Sequence, residues 1–462
     1  MSVGGYFTKV AARARNGMVF SLALSSMLCL ISCQDSNMRT SVHSPPVPDT
    51  TPAAVAGTAA GTREQIRRQP PVMVEPDSNA PVIRVAVLKD AKSLRIAAGT
   101  SDAVVFNGAG QEVMRVPANS ELQFDAASSV ASINIAQPGP QNVSAGRGAG
   151  SDSLLRIECE RADGATLKLN GQDVAPRITL TRPSAQRGIT AIARLDLEEY
   201  LFGVLGGEVP FEKWHPEALK AQAIASRSYA YFQLKSNAGE AYDVESTVMS
   251  QVFKTGYRSN PILAQAVNST RGQIMTFNGA PFCAYFHSTC GGHTDNGASV
   301  FPDQPQARAL HGANCPYCSQ SPHYRWRWTI GKDVLTEKLR PVAPNPPMGQ
   351  VRSVEFIDTN GLAIGPQSGT LRRVATVRIK HQYGTFDMSG NAFRLAVGAR
   401  ELKSMLFYQV TDGSGVIDVN GGGFGHGVGL CQFGSQGMAL AGQPCTNILG
   451  MYYPGASLTR MY

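Results

Sequence analysis

Apolar positions recur along this chain at two different periods. Between about residues 81 and 195 they come in short runs: Val82-Ile83-Arg84-Val85-Ala86-Val87-Leu88, Ala103-Val104-Val105-Phe106 and Thr166-Leu167-Lys168-Leu169. Runs this short, bounded by turn residues, predict β-strands. Asn107-Gly108 and Asn170-Gly171 follow two of them and predict hairpins, because a type I′ turn needs positive φ at both central residues. The period changes at 196–236. Residues 196–206 read as a short helix. His215-Pro216-Glu217-Ala218 predicts a helix start, with Pro at the first helical position and an acid in the first turn. Leu219, Ala223, Ile224, Tyr231 and Leu234 then recur at helical spacing, which marks a core-facing stripe. Beyond it the pattern returns to β. Residues 273–277, Asn278-Gly279 and 282–286 predict a hairpin, and 351–357 and 374–379 two further strands. A Gly-dense loop spans 421–429, and Met438 and 448–453 predict closing helices. The class expected is α+β: a β-rich region at 81–190 followed by a mixed domain at 191–462. No repeat at a period of 20–50 residues is visible.

Composition narrows the reading. The chain has 462 residues, 43% of them hydrophobic, which is enough for a sizeable core. Gly 47 and Pro 28 disfavour a helical bundle or coiled coil. The net charge of +8 is spread without a long basic run, so no nucleic-acid partner is expected. A mildly basic exported protein suits an anionic polymer or a membrane surface. Export is what the N-terminus predicts. Lys9, Arg13 and Arg15 precede an apolar run at 18–32, long enough for the core of a signal peptide and short of the ~20 residues that span a bilayer. The run ends Leu30-Ile31-Ser32-Cys33, which resembles a bacterial lipobox. Residues 1–32 are then a lipoprotein signal peptide, cleaved before Cys33, whose thiol is lipidated. Cleavage removes three positive charges and no acid, lowering +8 to +5. Residues 33–80 are rich in Pro, Ala, Thr and Ser without aromatics, and are expected to be a disordered tether. The expected location is a membrane-anchored lipoprotein of the periplasm or cell envelope.

Three constellations carry candidate chemistry. Glu208 follows the apolar, Gly-rich run 195–207 and precedes Val209-Pro210. An apolar setting raises a carboxyl pKa and fits it for general-acid work near neutral pH; the competing reading is a surface Glu at a helix end. Cys290, with His287 and His293 beside it, is followed 25 residues on by Cys315-Pro316-Tyr317-Cys318. Three Cys and one His can make a closed, structural zinc site, with His293 preferred over His287 as fourth ligand. A Cys315–Cys318 disulfide, suited to an oxidising compartment, is the competing reading. A redox pair needs a helix after its first Cys, which Ser321-Pro322 cuts short. The third constellation is the glycine loop around His426. It lacks the Lys-Ser/Thr of a phosphate loop, and its glycines admit a close backbone approach to a ligand or simply make a tight turn.

Together these stretches resemble the stage II sporulation protein D (SpoIID) family and its amidase-enhancer relatives. The resemblance rests on Leu197-Glu198-Glu199-Tyr200-Leu201-x-Gly203-Val204 through Glu208-x-Pro210, and on Glu217-Ala218-Leu219-Lys220-Ala221-Gln222-Ala223-Ile224-Ala225-Ser226-Arg227-Ser228-Tyr229-Ala230. It continues with His287-Ser288-Thr289, Gly291-Gly292 and Phe393-Arg394. It ends on Gly425-His426-Gly427-Val428-Gly429, Gln432-x-Gly434, Ile448-Leu449 and Tyr452-Tyr453-x-Gly455. It covers about 190–462, in order. Two departures stand out: Gly206-Gly207 where the family is bulkier, and Cys431 in place of a usual Ser.

The resemblance implies a cleft-containing peptidoglycan lytic transglycosylase, a lyase cutting after N-acetylmuramic acid in glycan strands stripped of stem peptides. It implies that Glu208 is the catalytic acid, and some family members bind zinc near the His-Ser-Thr motif. Lys220, Gln222 and Arg227 on the following helix, with His287, His426 and Gln432, are the expected substrate contacts. The alternative is a non-catalytic glycan-binding activator of a cell-wall amidase. Partners implied are peptidoglycan glycan strands, the membrane through the lipid, and a cell-wall amidase.

Overall fold

The computed structural model describes residues 80–126, 134–135, 153–160, 165–182, 188–247, 250–257, 260–301, 310–344 and 348–462. The signal peptide, Cys33 and nearly all of the tether lie outside the described residues.

The strand Val82–Ala91 pairs antiparallel with Ile189–Asp196, so the β-rich region begins and ends side by side. These two strands sit in a seven-stranded sheet with Arg177–Thr181, Ser153–Cys159, Ala103–Asn107 and Glu112–Val116; Val244–Glu245 of the following region is its edge strand. A five-stranded sheet includes Glu121–Asp125, Ser93–Ala97, Leu167–Leu169 and Gln172–Ala175. Ile96, Val105, Phe124, Ile157, Leu167 and Leu180, drawn from both sheets, share one core.

Asn170-Gly171 and Asn278-Gly279 turn with positive φ at both residues, as their sequence demands. Asn107-Gly108 does not. Its hairpin forms, but the positive φ moves to Gly110, because the Asn107 carboxamide oxygen accepts from Ala109 N–H and Gln111 N–H and holds a longer turn. The hairpin expected after Gln273–Phe277 is also shorter than its pattern. Its return arm is only Ala280–Pro281, since Pro281 has no N–H to extend the ladder. The open edge of Gln273–Phe277 takes the C-terminal strand Ser457–Arg460 instead.

The helical part follows the second sequence period. Helix α1 (Leu197–Glu208) is capped by Asp196, whose carboxylate accepts Glu198 N–H at 2.7 Å. It runs two residues beyond the end that its pattern suggested. Helix α2 (Pro216–Ser236) is capped by His215, and α3 (Pro261–Ser269) by Asn260. After the short α4 (Gly297–Val300) the chain leaves this core and builds a six-stranded sheet: Trp326–Gly331, Val416–Gly422, Leu406–Asp412, Arg372–His381 and Val351–Asp358, with Gly384–Ser389 on Arg372–His381. Helices α5 (Lys332–Leu339) and α6 (Gly390–Val397) cover it. The chain then returns as α7 (Gln432–Leu440) and α8 (Cys445–Tyr452), the expected closing helices, which pack with α1–α3 around Phe202, Leu219, Leu263 and Ile448. The class is α+β. Among the described residues no helix is long and apolar enough to cross a membrane.

Candidate active site and thiolate cluster

Glu208 is the last residue of α1. Gly203, Gly206 and Gly207 lie on the helix just before it, and a methyl on any of them would run into Phe253, Tyr257 or Val252. These glycines let residues 251–257 lie flat against α1. That contact explains the small residues at 206–207: they admit the Tyr257 ring and the Val252 backbone. The loop in turn delivers Val252 N–H to Glu208 Oε1 at 2.7 Å, and Gln432 Nε2 donates to Oε2 at a weak 3.4 Å. Burial raises the Glu208 carboxyl above its usual value, and the two hydrogen bonds only partly oppose it. Tyr200 and Tyr229 stand close enough that the Glu208 charge helps to push both phenols up, after burial as the main cause.

The α7 face holds this corner together. Four residues after Gln432, Gln436 accepts His215 N–H at 2.8 Å, tying α7 to the start of α2. A pocket beside the site is lined by Glu199, Phe202, Phe253, Lys254 and Tyr257 and not by Glu208.

The expected substrate contacts on α2 divide. Gln222 and Arg227 are 0% exposed. Gln222 Nε2 donates to Ser226 Oγ, and Arg227 forms a two-pronged pair with Glu198 at 2.9 and 2.7 Å. This corrects the expectation that either touches substrate; the cause is that residues 221–231 of α2 are buried on every face. Lys220 remains partly exposed and pairs with Glu217 at 2.7 Å.

The His287 and His426 rings meet at a tilt of 59°, with centres 5.4 Å apart. His287 Nδ1–H donates to the Val428 carbonyl at 3.1 Å, leaving a buried Nε2 without a partner. His426 Nδ1 accepts Val428 N–H. Burial drives His287 down to about 4 and His426 well below its usual value, so both are neutral. The glycine loop comes close to these groups in the way its composition suggested. Gly425 and Gly427 have φ of 114° and 85°, and a side chain there would strike His287 or Arg373.

The cysteines form one cluster. The Sγ atoms of Cys290, Cys315, Cys318 and Cys431 all lie within 4.8 Å of one another, and all four residues are buried. The fourth member is therefore Cys431, not His293. His293 is partly exposed, with Nε2 3.6 Å from Asp295, and His287 also stays outside the cluster. The strand Phe286–His287 pairs in parallel with Leu430–Cys431, which carries Cys431 in beside Cys290. The sequence signal was present: Cys431 stands where the family has Ser.

The cluster fits a tetrahedral thiolate metal site. Zn–S bonds of ~2.3 Å place sulfurs roughly 3.8 Å apart, and Cys290 Sγ and Cys318 Sγ are 3.5 Å apart. Donors already point at the sulfurs: Cys290 N–H and Gly434 N–H to Cys431, both 3.2 Å, with Tyr452 Oη 3.0 Å from Cys315. Hydrogen bonds from neighbouring thiols hold Cys315 and Cys318 down and push Cys290 up, while burial raises Cys431. The seven cysteines of the described residues are all free thiols.

A partly buried carboxyl at a helix end, in a helix-and-sheet body that also holds a buried four-cysteine cluster, defines the class of site; comparison with known proteins gives the family. Residues 185–277 match the family model described as stage II sporulation protein (SpoIID), and residues 306–429 match a domain of unknown function. The chain is 30% identical over 286 residues to stage II sporulation protein D of Bacillus subtilis, covering 58% of this chain and 76% of that protein. It is 32% identical over 268 residues to an uncharacterized protein of Brachyspira hyodysenteriae, 58% of this chain and 67% of that one. It is 25% identical over 301 residues to the amidase enhancer of Bacillus subtilis, of which it covers 40%. The chain belongs to the SpoIID and amidase-enhancer family. The first match spans α1 to α3; the second falls on the inserted sheet.

Proposed function

We propose that this protein is a peptidoglycan lytic transglycosylase with Glu208 as its single acid and base. The observation that carries the reading is the Glu208 carboxyl itself: partly buried, raised in pKa, and held by one backbone and one carboxamide donor rather than by a cation. Ordinary glycosidases need two carboxyl groups. A transglycosylase needs one, because the sugar supplies the nucleophile. Protonated Glu208 donates to the glycosidic oxygen after N-acetylmuramic acid as the C1–O bond breaks. The resulting carboxylate takes the proton from the C6 hydroxyl as that oxygen bonds C1, giving a 1,6-anhydro end and regenerating the acid. Gln432 orients the carboxyl. His426 and Lys220 remain proposed contacts to the glycan, while the buried His287 backs the His426 ring.

Cys290, Cys315, Cys318 and Cys431 would hold one structural zinc. Four protein ligands close such a site, so the metal shapes the fold and activates no water. Export and lipid anchoring through Cys33 belong to the same proposal, and place the enzyme on wall close to its membrane. Incubation of the purified protein with peptide-free glycan, read by mass spectrometry, should show anhydro-muramyl ends, lost in Glu208→Gln. A second reading, a non-catalytic activator of a cell-wall amidase, draws on the relative named an amidase enhancer. Glycan binding and amidase stimulation with no anhydro product would favour it.

A further inference from the structure

A second polar site lies on the inserted sheet side of the glycine loop. A narrow pocket of about 20 Å³ is lined by Arg373, Arg394, His426, Ser299, Ser389 and Asn391, among others. A cavity of that size admits only a ligand's tip. Its described lining contains two arginines and no carboxylate.

Both guanidiniums are held rigidly and neither is fully used. Arg373 is 5% exposed. Its Nε and Nη2 grip Asp295 Oδ2 at 2.6 Å, while its buried Nη1 has no partner. Buried donors in native proteins are nearly always satisfied, so an orphaned guanidinium nitrogen beside a pocket marks a place for an acceptor. Arg394 is 7% exposed and gives Nε and Nη2 only to the backbone carbonyls of Leu402, Lys403 and Ala399, none of which neutralises it. The start of α6, at Ser389, Gly390 and Asn391, forms part of the same wall. Gly427 has no side chain because one would displace the Arg373 guanidinium. Fixed guanidinium forks of this kind suit a planar oxyanion.

We propose that this pocket binds a carboxylate, namely the lactyl carboxylate that a muramic acid residue exposes once its stem peptide has been removed. The identity of the ligand rests on the glycan reading given above; the anion site rests on its own geometry. The pocket and Glu208 are joined by one short stretch of chain. His426 lines the pocket, and Gln432, six residues on, touches Glu208. Residues 427–432 are themselves buried, so a glycan would bridge the two ends of this stretch from outside, with one sugar at Glu208 and a neighbouring carboxylate at the arginines. A muramic acid still carrying its peptide has no free carboxylate there, which makes the pocket a selector for stripped strands.

The test uses the full mature chain carrying Glu208→Gln, so that no turnover disturbs binding. N-acetylmuramic acid, N-acetylglucosamine and inorganic phosphate are titrated and followed by NMR, and short stripped glycans are compared with the same glycans after reduction of the lactyl carboxyl to an alcohol. The free-carboxylate ligands should bind at least about tenfold tighter than their neutral counterparts, the scale of one charge-assisted hydrogen bond. That preference should vanish in Arg394→Gln. It should also vanish in Ser299→Phe, which blocks the mouth from an exposed position and leaves the arginines intact. Equal binding of acid and alcohol, a preference that survives in both variants, or phosphate bound in place of N-acetylmuramic acid would each overturn the proposal. Anhydro product formed by the wild type without carboxylate preference sinks the pocket alone. Carboxylate preference without anhydro product sinks the catalytic reading and leaves the pocket standing.

Discussion

Glu208 shows how far a single residue can be read from its neighbours. Its apolar, glycine-rich flank marked it as a carboxyl with a raised pKa, and its position at the end of α1 follows from the helix pattern. The Val252 N–H that holds it was invisible, because that donor comes from a loop with no motif of its own. The raised pKa has two consequences. Activity that needs the protonated acid should decline as pH rises through the folded-state value, which lies above the ordinary ~4.5. Stability should move in the same direction. Between the unfolded and folded values the native state binds more protons, so this residue's contribution is present at low pH and lost as pH climbs through that window. In Glu208→Gln the amide oxygen can still accept Val252 N–H, and no charge is buried. Its turnover should fall by about 10²–10⁴-fold while its melting temperature at neutral pH stays level or rises. Near-wild-type turnover in a folded variant would remove Glu208 from the mechanism. The same scale explains two misreadings. Asn107 kept its hairpin but spent its side chain on the turn, and His293 lost its place to a cysteine more than a hundred residues downstream, a pairing that local spacing cannot show.

At the scale of elements, α2 was legible as a helix but not as one whose middle, residues 221–231, is buried on all sides. Arg227 is the reason a polar residue sits there. Its guanidinium joins Glu198 on α1, Thr270 just after α3 and the carbonyl of Gln273, while Glu198 also accepts from Gly272 N–H and from Tyr462 near the C-terminus at 2.7 Å. Every prong is matched, so the pair fastens three helices and two strands without leaving a buried charge alone. Removing one partner does leave one. Arg227→Met should therefore cost roughly 3–5 kcal/mol of stability, and replacing Glu198 by Leu in the same chain should recover much of it. A surface role for Arg227 would instead give a change within about 0.5 kcal/mol in denaturant titrations. Arg227 and its hydrogen bonds hold the Glu198 carboxyl down against the opposing effect of burial. Its contribution is then complete above ~4.5, the unfolded value, and is lost as pH falls through the lower folded value. Acid unfolding of the wild type should be steep in that range and flatter in the double variant.

For the whole molecule, the decisive arrangement is the insertion. The chain leaves the helical core just after Cys318, builds a six-stranded sheet with its own core, and returns at Cys431. Cys315 and Cys318 stand at the exit, Cys431 at the return and Cys290 in the helical core beside them, so the cluster sits at the neck of the inserted sheet. Strand order and the Gly434–Gly437 helix face decide this, since side chains at those glycines would strike Cys315 or the Tyr317 backbone. Neither is visible in the Cys-x2-Cys spacing, which is why three members of the cluster were legible and the fourth was not. Closing a loop of more than a hundred residues restricts the unfolded chain, and metal binding to the native site alone adds directly to stability. Protein purified without chelator should carry about one zinc per chain, the load of one closed four-ligand site. Cys431→Ser should lower both metal content and melting temperature, and His293→Ala should change neither. Chelation of the wild type should loosen residues 326–422 first, seen as faster amide exchange in that sheet than in α1 to α3. Metal retained in Cys431→Ser but lost in His293→Ala would restore the three-cysteine, one-histidine site. Absence of zinc together with a Cys315–Cys318 disulfide in peptide mapping would replace the metal by a covalent link.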